Sequence, residues 1–206
     1  ELTRDWTRDV NEALALEPPH ISLYGLTVEA HTPLARWVAR GAVSGVAEDC
    51  YESEFLWAHD QLAAHGYGHY EVSNYARPGH ESRHNSAYWN GAQYLGLGPS
   101  AHSFDGSVRR WNIREYQAWK RAIAAGDDPL GGSEVLTDDQ RTLERVYLGL
   151  RSRSGLTVDA IPPEIVEKWR EQQWAEVDAG RLRLTPHGWL RLDALVGALT
   201  AHSNPC

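Results

Sequence analysis

The sequence predicts an α/β fold that ends in a small, mainly helical, winged-helix-like region. Apolar residues recur at helical spacing in several blocks, short β-branched stretches fall between them, and Pro or Gly closes each block. In the first block Trp6, Val10, Ala13 and Leu14 share one helix face, and Pro18-Pro19 stops the helix because proline cannot continue it. His20 to Leu26 then reads as a strand. Helix, turn and strand in this order predict an αβ unit of a parallel sheet.

Thr32-Pro33 opens the next helix, with threonine as cap and proline at its first position, and Gly41 ends it. Tyr51, Phe55, Ala58 and Leu62 form another helical stripe that closes at Gly66, and a strand follows from Tyr67 to Val72. Between Ser73 and Asn112, glycine, asparagine, histidine and aromatics crowd together without a period. A long irregular stretch of this kind predicts a functional segment. Tyr116 to Ala125 returns to helix, Gly126 to Pro129 breaks it, and Gly131-Gly132 reads as a linker. Residues 1–130 and 134–206 are accordingly expected to form separate domains. In the second, Leu143, Val146, Tyr147 and Leu150 form one stripe and Val166, Trp169 and Val177 another. Arg181 to Leu184 alternates as a short strand, and Thr185-Pro186 caps a last helix carrying Trp189, Leu192, Val196 and Leu199.

The net charge of −8 argues against a non-specific grip on phosphate backbones. The last helix carries Trp189, Arg191 and Asp193 and has no basic face, so a winged-helix nucleic-acid module is disfavoured against a lid or docking surface. No apolar run approaches the roughly 20 residues of a membrane helix, and no charged-then-apolar leader opens the chain, which reads as cytoplasmic. Cys50 and Cys206 are too far apart for a Cys-x-x-Cys motif, and Cys50 reads as a small buried hydrophobe. The chain has no methionine and opens at Glu1 inside a helical pattern, so it reads as a piece of a longer protein.

Three segments together resemble the HemN/HemW group of radical-SAM proteins. They are His20 to Glu29, the run Tyr70 to Gly79 leading into His84-Asn85-Ser86-Ala87-Tyr88-Trp89, and Tyr94 to Ser103. The resemblance implies part of a TIM-like radical-SAM barrel followed by a HemN-type C-terminal domain. The His-Asn-x-x-Tyr-Trp element resembles the heme-chaperone branch more than the oxygen-independent coproporphyrinogen III oxidases. That branch implies heme as cargo, heme-accepting respiratory proteins as recipients, and a [4Fe–4S] cluster with S-adenosylmethionine in the complete protein. The three-cysteine loop that holds such a cluster is absent from this sequence, so the chain alone is not expected to perform radical chemistry. Coproporphyrinogen oxidation and a non-catalytic scaffold are the alternatives. The oligomeric state is not legible.

With this resemblance, His84 becomes a candidate axial ligand for heme iron, since neutral imidazole is a common one. If the chain is helical from His80, then His80, His84 and Tyr88 share one face. Tyr88 and Trp89 are then placed to cover a flat porphyrin, and Arg77 and Arg83 to pair with its propionates. Equally open is a structural role in which His84 and Asn85 bond a neighbouring loop. A zinc site at His80 and His84 lacks an obvious third ligand. Gly96 and Gly98 suit close approach of backbone to a ligand, and the resemblance puts them, with Thr27 and His102, near S-adenosylmethionine; a tight turn is the alternative. Glu29 and Glu71, near strand ends, read as solvated or salt-bridged, and Arg109 to Asn112 as an exposed basic turn.

Overall fold

The computed structural model describes residues 5–201, so Cys206 lies outside the described residues. Helix α1 (Trp6–Ala15) starts where the Asp5 carboxylate accepts the Arg8 N–H, and it buries Val10 and Leu14. Strand β1 (His20–Ser22) follows the Pro-Pro break. In α2 (Pro33–Ala39), Thr32 Oγ1 accepts the Ala35 N–H at 3.1 Å, the cap that Thr32-Pro33 predicts. Helix α3 (Glu48–Ala64) begins with two acids, favourable at the positive end of the helix dipole, and buries Phe55, Ala58 and Leu62. Cys50, expected inside, is exposed, because that apolar stripe lies on another side of α3.

Strands β2 (Gly68–Glu71) and β3 (Asn74–Ala76) are joined by Val72 and Ser73 alone, which forces an antiparallel hairpin. β3 inserts between β2 and β1, giving the order β1-β3-β2, with Ile21 opposite Tyr75. The expected parallel sheet is thus corrected. β1 and β2 point the same way but never touch, because the hairpin return occupies the place between them. Val10, Leu14, Ala58, Leu62, Tyr67 and Tyr75 form the core beneath.

Ser82 caps α4 (Arg83–Trp89) through its Oγ, which accepts the Asn85 N–H. A second sheet runs β4-β5-β6, all antiparallel, from β4 (His102–Phe104), β5 (Val108–Asn112) and β6 (Leu130–Val135). Helix α5 (Tyr116–Ala125) connects β5 to β6. The stretch expected to be irregular therefore holds β3, α4, β4 and β5, whose three to seven residues each are too few to establish a period. Gly131 and Gly132, expected as a linker, lie in β6. Gly132 faces Trp111 across the ladder, and a Cβ there would meet the indole at 2.5 Å. Glycine here serves an aromatic neighbour, not a flexible joint.

A capping box between Thr137 and Gln140 opens α6 (Asp138–Arg151). The wing is a third antiparallel sheet, β7-β9-β8, from β7 (Leu156–Thr157), β8 (Ala175–Asp178) and β9 (Arg181–Leu184). Helix α7 (Pro163–Glu171) lies between β7 and β8 in the chain and contains Val166 and Trp169, whereas Val177 belongs to β8 and not to their stripe. The turn at Gln173, with φ +58°, separates them. The last helix divides into α8 (Pro186–Trp189) and α9 (Leu192–Ala201). The Trp189 indole N–H donates to the Leu150 carbonyl at 2.9 Å and pins α8 to the end of α6. Phe55 of α3 joins Leu150, Ile165, Trp169, Leu182 and Trp189 in one buried cluster, so the winged end is packed onto the first region. Among the described residues no helix is long and apolar enough to cross a membrane.

Glu71, expected to be solvated or salt-bridged, is fully buried, and its Oε2 lies 3.2 Å from the Arg151 Nε. Arg151→Ala would strand that carboxylate without its cation, a change that typically costs about 3–5 kcal/mol. We expect urea denaturation to show a loss of that order; an unchanged midpoint would contradict the pairing.

Candidate functional site

Helix α4 sets His84 and Tyr88 one turn apart. The imidazole meets the phenol edge-on, with centroids 4.9 Å apart. Tyr88 in turn meets Tyr94 at 4.7 Å, and Tyr94 lies 6.2 Å from Phe104, so an aromatic row runs from α4 to β4. His84 is exposed, whereas Asn85, Tyr88 and Trp89 are half-buried. The cap at Ser82 leaves His80 outside the helix, where its N–H donates to the Arg77 carbonyl. His80 consequently does not share the helical face of His84 and Tyr88, which corrects the expectation of a helix beginning at His80.

Trp89 lies under the Arg151 guanidinium, 4.5 Å from its ring centroid. Beside it is a cavity of about 380 Å³, lined by Tyr88 and Trp89 of α4, Tyr94, Phe104 and the Glu144–Leu148 face of α6. Arg109 stands at this cavity and is ion-paired to Glu144 at 2.8 Å and Glu134 at 3.2 Å. The hydrogen bond to Glu144 raises its pKa further. Arg110 pairs with Asp128 at 2.6 Å. The predicted basic turn is therefore a half-buried strand whose arginines are already engaged. Arg77 lies over the Tyr67 ring and 3.9 Å from Glu17, while exposed Arg83 makes no ion pair among the described residues. Glu29 is exposed.

The residues expected near S-adenosylmethionine are not gathered in one cavity. Exposed Thr27 borders a space of about 760 Å³ with Tyr51 and Arg191, whereas Gly96 and Gly98 border one of about 310 Å³ with Asn112 and Trp119. His102 is exposed on β4, its ring 5.7 Å from that of Trp111. Asn112 Nδ2 donates to the Gly98 carbonyl at 2.8 Å, and Gly96 N–H donates to Ser103 Oγ. A Cβ on Gly96 would meet the His102 carbonyl oxygen at 2.1 Å, so this glycine is required by backbone packing. Gly96→Ala should destabilise the chain by about 1–3 kcal/mol, the usual cost of overpacking, as read from thermal unfolding.

Sequence reasoning missed His69. It stacks on Tyr75 at 3.9 Å, meets Trp189 edge-on at 4.1 Å, and so joins the first sheet to the winged end. Its Nε2–H faces the Val72 carbonyl at 3.3 Å, so its Nδ1 accepts from the Nδ1–H of His59 at 3.1 Å. Its signal in the sequence is weak, because β2 buries His69, Tyr70 and Glu71 in succession and a bulge between His69 and Glu71 breaks the alternation.

No family model matches the chain. The heme chaperone HemW of Mycobacterium tuberculosis (strain H37Rv) is 36% identical over 198 residues, covering 95% of this chain and 51% of that protein. The heme chaperone HemW of Escherichia coli K12 is 31% identical over 207 residues, covering 91% and 51%. Over nearly its whole length the chain is a homologue of heme chaperones named HemW. It spans about half the length of these curated relatives. HemW of Lactococcus lactis is 36% identical over 73% of the chain and 39% of its own length. Coproporphyrinogen III oxidase (HemN) from E. coli, described as a radical SAM enzyme, superposes with a TM-score of 0.65 over 96% of this chain and 51% of its own. At 17% identity that likeness shows the fold alone: an α/β arrangement whose three-stranded sheets, among the described residues, do not close a barrel.

Within this chain, burial lowers the His69 pKa from 6.5 to about 3, and neighbouring His59 pushes the same way. Burial also lowers the His59 pKa, opposed by Asp60 and aided by His187. Below pH 6.5 the unfolded chain takes up a proton on His69 that the folded chain refuses until about pH 3. The stability held by the neutral ring is thus fully present above pH 6.5 and is lost as pH falls toward 3. We expect it to contribute a slope of up to about 1.4 kcal/mol per pH unit, which His69→Phe should remove. Urea titrations at pH 7 and pH 5 with equal slopes for both proteins would contradict the neutral-ring assignment.

Proposed function

We propose that this chain carries the heme-binding part of a heme chaperone, with His84 as an axial ligand to the iron. The observation that supports this most is the pairing of an exposed imidazole with an aromatic cleft one helical turn away, at Tyr88 and Trp89. Neutral imidazole supplies the ligand, and the cleft removes apolar macrocycle from water. Arg83, exposed and without an ion pair among the described residues, would be free to meet a propionate. The names of the relatives support heme as the cargo. Delivery to heme-accepting respiratory proteins in the cytoplasm belongs to the same proposal, as does a division into ligand-bearing residues 1–130 and a C-terminal region 134–206.

A [4Fe–4S] cluster does not fit the residues described here. The one cysteine among them, Cys50, stands alone and exposed on α3, and no group of three His, Cys, Asp or Glu among them converges on a metal position. No part of the heme reading is routed through a cluster. S-adenosylmethionine at Thr27, Gly96, Gly98 and His102 stays outside it too, since the carbonyls of Gly96 and Gly98 already face the Asn112 amide.

Adding heme to the chain should shift the Soret band, and His84→Ala should weaken that binding by at least about tenfold. An unshifted spectrum, or one that His84→Ala leaves untouched, would remove the ligand assignment.

A further inference from the structure

The sequence holds six asparagines, and Asn90 alone precedes a glycine. Asn90 and Gly91 are both exposed and close α4 at the lip of the cavity, which Gly91 lines together with Trp89. The Asn90 side-chain amide has no hydrogen-bond partner among the described residues. A Cβ on Gly91 would meet no atom within 4 Å, so the space beside this backbone is open. A free asparagine amide followed by glycine is the arrangement in which a chain attacks itself. Bulk on the following residue obstructs that attack, and glycine has none. The folded geometry holds the reaction back. Asn90 lies at φ −91° and ψ 5°, which turns the Gly91 nitrogen away from the Asn90 side chain. The Gly91 N–H donates to the Tyr88 carbonyl at 3.0 Å and the Ala92 N–H to the Ala87 carbonyl at 3.0 Å. Attack therefore requires the last turn of α4 to open, and a helix of seven residues opens locally at low cost.

We propose that Asn90 is a site of spontaneous deamidation whose rate is set by the opening of this turn. Once the turn opens, the Gly91 nitrogen gives its proton to solvent hydroxide and bonds to Asn90 Cγ. The bond from Cγ to the side-chain nitrogen breaks, and ammonia leaves with a proton drawn from water. Water then opens the succinimide ring at either carbonyl, yielding aspartate or isoaspartate. Both products place a carboxylate at the negative end of the α4 dipole. Isoaspartate also adds a methylene to the backbone between Trp89 and Gly91, which pulls the Gly91 N–H off the Tyr88 carbonyl. Conversion thus loosens the turn that fixes the lip of the cavity.

Peptide mapping by mass spectrometry, on the chain held at mildly alkaline pH, tests this. The peptide carrying Asn90 should gain the mass of an amide-to-acid exchange and contain isoaspartate. It should do so at least about tenfold more slowly in the folded chain than in guanidinium chloride, because two backbone hydrogen bonds must first break. Ser82→Ala removes the cap at the other end of α4 and should speed conversion of the folded chain about fivefold. Asn90→Gln should abolish the mass gain, since glutamine must close a larger ring that forms more slowly. In the converted chain the amides of Gly91 and Ala92 should exchange with deuterium faster than in the parent. Equal rates in folded and unfolded chains, or a rate that Ser82→Ala leaves unmoved, overturns the proposal. So does conversion at Asn85, which precedes Ser86 inside α4, ahead of Asn90. The comparison of folded with unfolded chain uses the unaltered sequence, so it decides the matter even where Ser82→Ala does not fold.

Discussion

The ion pair between Glu71 and Arg151 is the constraint on which the remainder of the molecule depends. Glu71 sits at the end of β2 with no exposed surface. One carboxylate oxygen accepts the Ser73 N–H at 2.9 Å and the Asn74 amide, which shapes the hairpin; the other faces Arg151. A buried carboxylate is tolerated only when its charge is met and its lone pairs are used. Here the charge is met by Arg151 and one oxygen is hydrogen-bonded within the hairpin, while Oε2 has the ion pair without a hydrogen bond. The backbone reinforces the joint, because Val72 N–H donates to the Arg151 carbonyl and Arg153 N–H to the Tyr70 carbonyl.

That joint also explains why the cleft exists. Arg151 ends α6, and its guanidinium covers the Trp89 ring, so one side chain ties β2, α4 and α6 together. With α4 held against α6, Tyr88 and Trp89 face Glu144, Tyr147 and Leu148 across a gap instead of closing on them. His69, fixed between Tyr75 and Trp189, performs a similar service deeper in the molecule with neutral rings. The winged end is in this sense a wall of the site as well as a support for it.

What the sequence made legible was local. Thr32-Pro33, the helix through Ala125 and the strand Arg181 to Leu184 follow from neighbouring residues, and they form as expected. Sheet direction was not local: β1 runs antiparallel to its neighbour because a hairpin some fifty residues later places β3 there. Gly131-Gly132 had the composition of a linker, and only the cross-strand Trp111 shows why a strand carries glycine at that point. At the site, His84, Asn85, Tyr88 and Trp89 stood together in one short element. The opposite wall did not, since Tyr147 reads as one more apolar residue of a helical stripe until α6 is placed beside α4.

The exposure of His84 is itself an argument about the kind of ligand this site is built for. A resident cofactor is commonly enclosed over most of its surface, and that enclosure makes it slow to leave. Here the proposed ligand atom projects from a seven-residue helix into solvent, and the adjoining cavity of about 380 Å³ takes an edge of a flat molecule and not the whole. On that proposal binding would rest on one axial bond and a limited apolar contact, each of which a recipient could replace in turn. The far face of the macrocycle would stay open throughout. Such a grip is too shallow for storage and suits a molecule that is handed on.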